Sequence, residues 1–391
     1  MSQPDYEIYK LGDWDLQSGE KIVDAHIAYK TFGDPSLPAI VYPTWFSGAI
    51  ADNFWLIGED KTLNPKEYFI IITALFGNGQ SSSPSNQPSP RPFPKVSFYD
   101  NVRAQHELVT KHFGITHLRA VLGWSMGAGQ TYQWATQYPD FMDIAVPFCG
   151  SAKTSLHNQV FIEGVKTALL AVKNIRSAGS GNGGIKEDCA EVRIWSDRDR
   201  EVGLKAMGRV YAGWGFSQAF YRQKLYETAL GYKDLEDFLQ NHWEKWACSK
   251  DPENLLVMMQ TWQNGDVSQL EPYNGDFEKA MASIKAKTLV LPAKTDLYFP
   301  PEDSEYEVAC MKPGVGTLGV FPSIWGREYI FILAAKWSKN SVDSNKQTGR
   351  EAPVTARRMS HGWISRWPIS LRLTRQRGLK PREKSLKKRC S

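Results

Sequence analysis

The residues of this chain best suited to chemistry are Gly123-Trp124-Ser125-Met126-Gly127, a G-x-S-x-G pattern. A serine hydroxyl becomes a useful nucleophile when a base takes its proton and nearby donors hold the charge that develops on the attacked carbonyl. The pattern is common by chance, and an ordinary glycine-rich turn would read the same way. Its context gives it weight. The apolar run Leu118-Arg119-Ala120-Val121-Leu122 leads straight into it, and helix-like sequence follows, with the small residues Ala128 and Gly129 near its start. A sharp strand-to-helix turn there strains the serine backbone, and the flanking glycines let strand and helix approach. The hydroxyl then stands at a helix N-terminus, where backbone amides favour negative charge.

In this strand–turn–helix architecture an acid follows a later strand and a histidine follows the last one. Asp296 lies just past the apolar run Leu289-Val290-Leu291 and is placed to orient an imidazole; the plainer reading is a solvated loop aspartate. Glu302 and Asp303 fit better as the acidic first turn of the next helix. The backbone N–H of Met126 is one candidate oxyanion donor. The second is that of Phe46, in Thr44-Trp45-Phe46-Ser47-Gly48, the loop after the run Pro38-Ala39-Ile40-Val41-Tyr42. Position in the fold selects Phe46, and Gly48 alone would be a plain turn glycine.

The elements that position these residues read as follows. Residues 6–11 and 25–32 alternate apolar and polar side chains around a turn at Ser18-Gly19-Glu20, which predicts two strands. Residues 38–42 and 68–73 are short apolar runs and predict buried strands. A long polar loop begins at Gly77-Asn78-Gly79-Gln80-Ser81-Ser82-Ser83-Pro84, and a helical pattern runs from Asp100 to Phe113. After the serine motif a helix is expected to about Tyr138, then a strand at Ile144-Ala145-Val146-Pro147-Phe148. Strands alternating with helices argue for a mostly parallel sheet covered on both faces. Residues 1–150 form the first part of that core. Residues 151–283 turn mostly helical and aromatic (Trp195, Tyr211, Trp214, Phe216, Phe220, Tyr221, Phe238, Trp243, Trp246, Trp262) and read as a helical cap inserted over the sheet. Such rings could line a pocket or simply fill a core. The last strands fall in 284–326, at residues 288–292 and 316–321, with a helix from Pro301 to about Cys310.

Composition bounds the rest. With 391 residues, 42% hydrophobic and 12% aromatic, the chain has material for one large domain or one domain with an insertion. No stretch approaches the roughly 18 apolar residues of a membrane span. The opening Met1-Ser2-Gln3-Pro4-Asp5 has no basic region before an apolar run, so a secretory signal is not expected. Five scattered cysteines without a CxxC pair predict neither a disulfide framework nor a zinc site, and a reducing, cytoplasmic setting follows. The net charge of +5 hides a split: residues 327–391 carry 17 basic and 4 acidic residues, leaving an acidic body. A basic tail can bind nucleic acid or an anionic membrane. This one, with a run at Lys384, Lys387, Lys388 and Arg389 and no interleaved aromatics, reads more simply as a disordered extension. Nucleic acid is therefore not expected as a partner.

Several motifs together bear a family likeness. These are Ala28-Tyr29-Lys30-Thr31-Phe32-Gly33, Thr44-Trp45-Phe46-Ser47-Gly48, the Gly77–84 loop, Gly123 to Gly129, Tyr211-Ala212-Gly213-Trp214-Gly215-Phe216-Ser217-Gln218, Asp296-Leu297-Tyr298-Phe299 and Ile324-Trp325-Gly326. On them, residues 1–326 resemble the homoserine O-acetyltransferase-like branch of the α/β-hydrolase superfamily. The resemblance implies an α/β-hydrolase fold, a Ser–Asp–His triad in that chain order, and esterase or acyltransferase chemistry through a serine-bound acyl group. It implies no cofactor beyond an acyl donor, such as acetyl-CoA in a transferase, and no metal. The partners are a small-molecule ester or an acyl donor and acceptor, and a homodimer is left open.

The family pattern expects a histidine directly after Trp325-Gly326, and this chain has Arg327. A guanidinium stays protonated and cannot accept the serine proton. The other histidines are His26, His106, His112, His117, His157, His242 and His361. His157 and His242, in the inserted region, could face a pocket, and His361 would have to fold back. For each of the seven a surface or core role is the plainer reading. The pattern past Gly326 suggests a retained intron or shifted reading frame. The expected function is thus a serine acyl-transfer enzyme, esterase or O-acetyltransferase, on a small molecule of secondary metabolism or the methionine pathway, impaired by the missing histidine. The alternative is a non-catalytic binding or scaffold protein on the same fold.

Overall fold

Among the described residues eight strands make one sheet: β1 (Glu7–Asp15), β2 (Lys21–Phe32), β3 (Ala39–Pro43), β4 (Phe69–Thr73), β5 (Leu118–Trp124), β6 (Met142–Phe148), β7 (Lys287–Val290) and β8 (Gly316–Leu318). Their spatial order is β1-β2-β4-β3-β5-β6-β7-β8. Only β2 runs against its neighbours; from β4 to β8 every pairing is parallel. The computed structural model describes residues 5–87, 92–172 and 195–326. The tail read as 327–391 lies outside the described residues, as do Arg327 and His361.

The central strands are predominantly apolar because helices cover both faces; the charged exceptions, Arg119 of β5 and Asp143 of β6, lie near the strand starts and pair with each other. All residues of β3 and β4 are buried. Each large aliphatic such as Val41 or Ile71 contributes about 1.5–3 kcal/mol of burial. Helix α1 (Phe98–Glu107) begins two residues before the expected Asp100. Ser97 caps it, accepting from the Asp100 amide while the Asp100 carboxylate accepts from the Ser97 amide. A π-helical turn, Leu108–His112, completes the segment expected as one helix. Helix α2 (Met126–Gln137) is buried along almost its whole length between the sheet and its neighbours.

Among the described residues eight α-helices lie between β6 and β7, with a π-helical segment, Leu239–Glu244, joining the fifth to the sixth: α3 (Leu156–Leu170), α4 (Asp197–Gly215), α5 (Gln218–Arg222), α6 (Leu225–Thr228), α7 (Leu235–Phe238), α8 (Lys245–Cys248), α9 (Pro252–Gln263) and α10 (Phe277–Ser283). Helix α11 (Pro301–Cys310) follows β7. One expected bound needs correction. The final strand ends at Leu318 instead of 321, with only a bridge from Phe321 to Ala293 beyond it. The polar loop at 77–84 is a loop, as expected, and it is buried at its centre, at Ser81, Ser82 and Ser83. Its hydroxyls replace a missing strand along β2, with Ser82 Oγ accepting from the His26 amide and Ser81 Oγ from the Ala28 amide, both at 2.9 Å. A buried amide must find a partner, and serine supplies one where no strand can.

Candidate active site

Ser125 sits between β5 and α2 with φ 58° and ψ −122°, a conformation that L side chains rarely adopt. Its amide donates to Phe148 O at 3.0 Å, so the end of β6 holds the strained residue in place. The flanking glycines are required by contact. A Cβ on Gly123 would lie 2.2 Å from Gly127 O, and one on Gly127 would lie 2.9 Å from Pro43 O. A third glycine, which the motif does not include, matters equally: a Cβ on Gly150 would meet Ser125 O at 2.4 Å. The Ser125 side chain is 1% exposed, and its Oγ has no hydrogen-bond partner among the described residues. A buried hydroxyl left unpaired is costly and calls for an explanation.

The two candidate donors lie on Met126, directly after the serine, and on Phe46, in the segment whose Pro43 and Thr44 carbonyls approach Gly127. Met126 is the first residue of α2, and amides of a first helical turn have no acceptor within the helix. Phe46 lies in a preformed turn beyond β3. Gly48 N donates to Trp45 O at 3.0 Å, Ser47 has φ 62°, and a Cβ on Gly48 would strike the Trp45 ring at 2.9 Å. The Trp45 ring meets Trp124 edge-on at 4.9 Å, next to the serine. From behind, Asn78 donates to Gly48 O at 3.2 Å and Gln80 accepts from the Ile50 amide at 2.8 Å. The buried serine loop thus props the Phe46 turn.

Asp296 is 5% exposed. Its Oδ1 accepts from the amides of Tyr298 (2.9 Å) and Phe299 (3.2 Å), which fixes the plane of the carboxylate. The preceding residue joins this loop to the end of the described chain: Thr295 Oγ1 donates to Ser323 O at 2.8 Å and accepts from Gly326 N at 3.0 Å. Ser217 donates to Ile324 O, and the Phe220 ring packs on Trp325 at 5.3 Å. Ile324-Trp325-Gly326 is therefore gripped by the acid loop on one side and by α5 on the other. Arg327, the next residue, is outside the described residues.

No described histidine bonds to the Ser125 hydroxyl. His26 is tied to Gln80 O and Ser82, His112 to Tyr29, and His117 to Asp143. His106 stacks on Tyr138 at 4.0 Å. His157 rests against Trp214. His242 lies among Phe238, Trp243 and Tyr232, and burial pulls its pKa down to about 4.

The aromatics of the helices between β6 and β7 divide in two. Phe216, Phe220, Phe238 and Tyr226 pack on one another. Tyr211, Trp246 and Trp262 instead reach the Phe46 ring, at 5.7, 6.4 and 5.9 Å. Tyr211, Trp214 and Trp262 also meet Tyr298 of the acid loop. A buried acid that the motifs did not suggest lies on α11. Glu307 accepts from Tyr132 of α2 and from the Ala152 amide, both at 2.6 Å, and burial pushes it up to about 8. Among the described residues, no group of three or more potential metal ligands occurs, and no helix is long and apolar enough to cross a membrane.

Residues 45–165 match the family profile described as alpha/beta hydrolase fold. A probable esterase of Corynebacterium glutamicum is 36% identical over 351 residues, covering 88% of this chain and 95% of the relative. An ethyl acetate hydrolase of Pseudomonas veronii is 34% identical over 305 residues, covering 76% and 82%. The solved structure of an acetylester hydrolase from Corynebacterium glutamicum superposes with TM-score 0.76 at 34% identity, over 86% of this chain and 94% of that one. A homoserine O-acetyltransferase of Trichormus variabilis matches at the lower identity of 26%, over 83% of this chain and 89% of the relative.

Proposed function

The chain belongs to the α/β-hydrolase fold family, and within it we propose a serine esterase architecture for small acetyl esters, with Ser125 as the nucleophile. One observation carries the reading. A strained, buried serine whose hydroxyl has no partner among the described residues stands at the N-terminus of α2, on a segment in contact with the turn that carries the Phe46 amide. The relatives that match at 34–36% identity over three quarters or more of the chain are esterases, among them an ethyl acetate hydrolase and an acetylester hydrolase, which favours hydrolysis over transfer to homoserine.

In this mechanism Ser125 Oγ attacks the ester carbonyl carbon as its proton passes to a base. The carbonyl oxygen becomes an oxyanion that accepts from the Met126 and Phe46 amides. Collapse expels the alcohol, which takes the proton, and leaves an acetyl group on Ser125. Water, activated by the same base, then releases acetate. Water is the only co-reactant; an acyl acceptor in its place would make the enzyme a transferase. Asp296 would orient the imidazole, and Gly326, bonded to Thr295, brings the chain to the acid where that imidazole belongs.

Arg327 at that position cannot serve as the base. The chain as written retains the nucleophile and the donors, and hydrolysis falls by several orders of magnitude, leaving the remainder that binding and the oxyanion donors supply. The sequence beyond Gly326 reflects a retained intron or a shifted frame; a transcript that carries the same frame across codon 326 would refute this origin.

The test is labelling with a fluorophosphonate, on this chain and on a version with Arg327→His followed by a family-like final helix. Fast labelling of the repaired version only, lost in Ser125→Ala, supports the reading. Equal labelling of both, lost in Ser125→Ala, means that another group acts as base and refutes the impairment. Absence of labelling in both favours a binding protein on this fold.

A further inference from the structure

A buried chain of side-chain amides runs from α1 to the Phe46 turn and is unused by the mechanism above. Trp134 Nε1 donates to Gln105 Oε1 at 2.8 Å, Gln105 Nε2 donates to Gln130 Oε1 at 2.6 Å, and Gln130 Nε2 donates to Thr44 O at 2.9 Å and Met126 O at 3.2 Å. Gln105 and Gln130 are fully buried. The orientation of each amide is dictated from one end. An indole N–H can only donate, so Gln105 must turn its oxygen to Trp134 and its nitrogen to Gln130. Gln130 must then accept on its oxygen and aim both N–H bonds at the two carbonyls. The oxygen and the nitrogen of each glutamine amide are both engaged, so flipping either amide would leave buried groups facing like groups.

The two carbonyls that share the Gln130 nitrogen belong to the two segments carrying the proposed donors. Met126 supplies one donor itself, and Thr44 opens the turn that supplies Phe46. The segments are already in contact, since a Cβ on Gly127 would lie 2.9 Å from Pro43 O. Thr44 is held on its other sides by its amide to Thr73 O at 2.9 Å and by its hydroxyl, which accepts from Leu75 N at 3.1 Å. We propose that Gln130 is a positioning residue that clasps the nucleophile turn to the Phe46 turn and sets the separation of the two oxyanion donors. This rests on the reading of Ser125, Met126 and Phe46 given above. Donors help only when they match the oxyanion in the transition state, so their spacing should govern the rate of reaction at Ser125 more than the binding of an ester.

The test compares Gln130→Met, Gln130→Glu and Trp134→Phe in this chain and in the Arg327→His version. Gln130→Met keeps the length of the side chain without donors. Trp134→Phe cuts the far end of the network and leaves the bonds of Gln130 to the carbonyls. Fluorophosphonate labelling of Ser125 should slow on the order of 10-fold to 100-fold in Gln130→Met and stay within about 2-fold in Trp134→Phe, although both lower the thermal midpoint. Gln130→Glu can donate an O–H to Thr44 when protonated, so its rate relative to the parent should recover as pH falls. Equal slowing in Gln130→Met and Trp134→Phe, or no recovery in Gln130→Glu, means that the network only packs α1 on α2 and overturns the proposal. Hydrogen exchange gives a readout that does not depend on Ser125 chemistry. Segments 44–48 and 123–129 should both exchange faster in Gln130→Met, and unchanged exchange in either one overturns the clasp. Faster exchange in both with no labelling in any chain keeps a mechanical clasp but refutes its role in an oxyanion hole, along with the reading of Ser125.

Discussion

The two sides of the candidate site are held by different physics. On the sheet side, Ser125, the Phe46 turn and Asp296 are fixed by directed hydrogen bonds and by glycines that touch backbone. On the roof, made of the helices between β6 and β7, the rings that reach the site meet one another and the loops mainly through ring faces and edges. Hydrogen bonds have preferred directions and lengths, so the sheet side tolerates little displacement. Ring packing has many near-equivalent arrangements, so the roof can change composition while the machinery stays in register. The difference suits an enzyme family that keeps one chemistry and varies its substrates.

Glycine substitutions should break this comparison most visibly. Gly123→Ala would drive a methyl group to 2.2 Å from Gly127 O, where no flexible side chain can yield. A loss of about 3 kcal/mol in denaturant unfolding is expected, together with loss of Ser125 labelling. On the roof, Gly164 lies within α3 with nothing within 4 Å of an added Cβ. Gly164→Ala should stabilise the protein by about 0.5–1 kcal/mol and leave labelling unchanged. Similar losses from both would mean that the roof is as constrained as the elbow.

Two buried titrating groups, one on each side, should respond to pH in opposite senses. Glu307 ties α11 to α2 and to the loop after β6, and burial lifts it from 4.5 to about 8. Between those values the folded state keeps a proton that the unfolded state has released. Stability therefore falls as pH rises through this window, with a limiting slope of about 1.4 kcal/mol per pH unit. His242, in the roof, is pulled from 6.5 to about 4. There the unfolded state binds the proton first, so stability falls as pH drops below 6.5 toward 4. Thermal midpoints across pH 4–9 should lose the decline between pH 4.5 and 8 in Glu307→Gln, which mimics the neutral acid, and the decline from 6.5 down toward 4 in His242→Phe. A Glu307→Gln profile parallel to that of the parent would mean that Glu307 is charged in the folded protein at neutral pH.

Much of the sheet side was legible in the sequence because its signals are local. The apolar run into Gly123-Trp124-Ser125-Met126-Gly127 fixes strand, turn and helix within about twenty residues, and the run before Asp296 places that loop. What escaped were partners distant in sequence. Gly150 matters only because β6 returns beside the elbow, and Gln130 acquires meaning only when Thr44, 86 positions earlier, is brought to it. Ser81, Ser82 and Ser83 read only as part of a polar loop until the backbone amides of β2 are seen beside them. The capping pair Ser97 and Asp100 was present in the sequence and still gave way to the apolar period that seemed to begin later. In the roof the ring-rich composition was plain, yet nothing in it separated Trp262, which touches the site loops, from Phe238, which does not.

Trp262 gives the smallest expected effect and the sharpest test of the division between the two sides. Its ring lies between Phe46 of the donor turn and Tyr298 and Phe299 of the acid loop. If the roof shapes the substrate and leaves the chemistry to the sheet side, Trp262→Phe removes ring volume near the acyl group without moving an amide. Labelling by a short-chain fluorophosphonate should then stay within about 2-fold, while a longer alkyl chain should gain about 3-fold to 10-fold relative to it, the scale of one methylene's fit in an apolar pocket. Equal slowing with both probes would mean that the ring instead braces the Phe46 turn. Trp262 would then belong with Gln130 and Asn78, and the line between machinery and roof would have to be redrawn through α9.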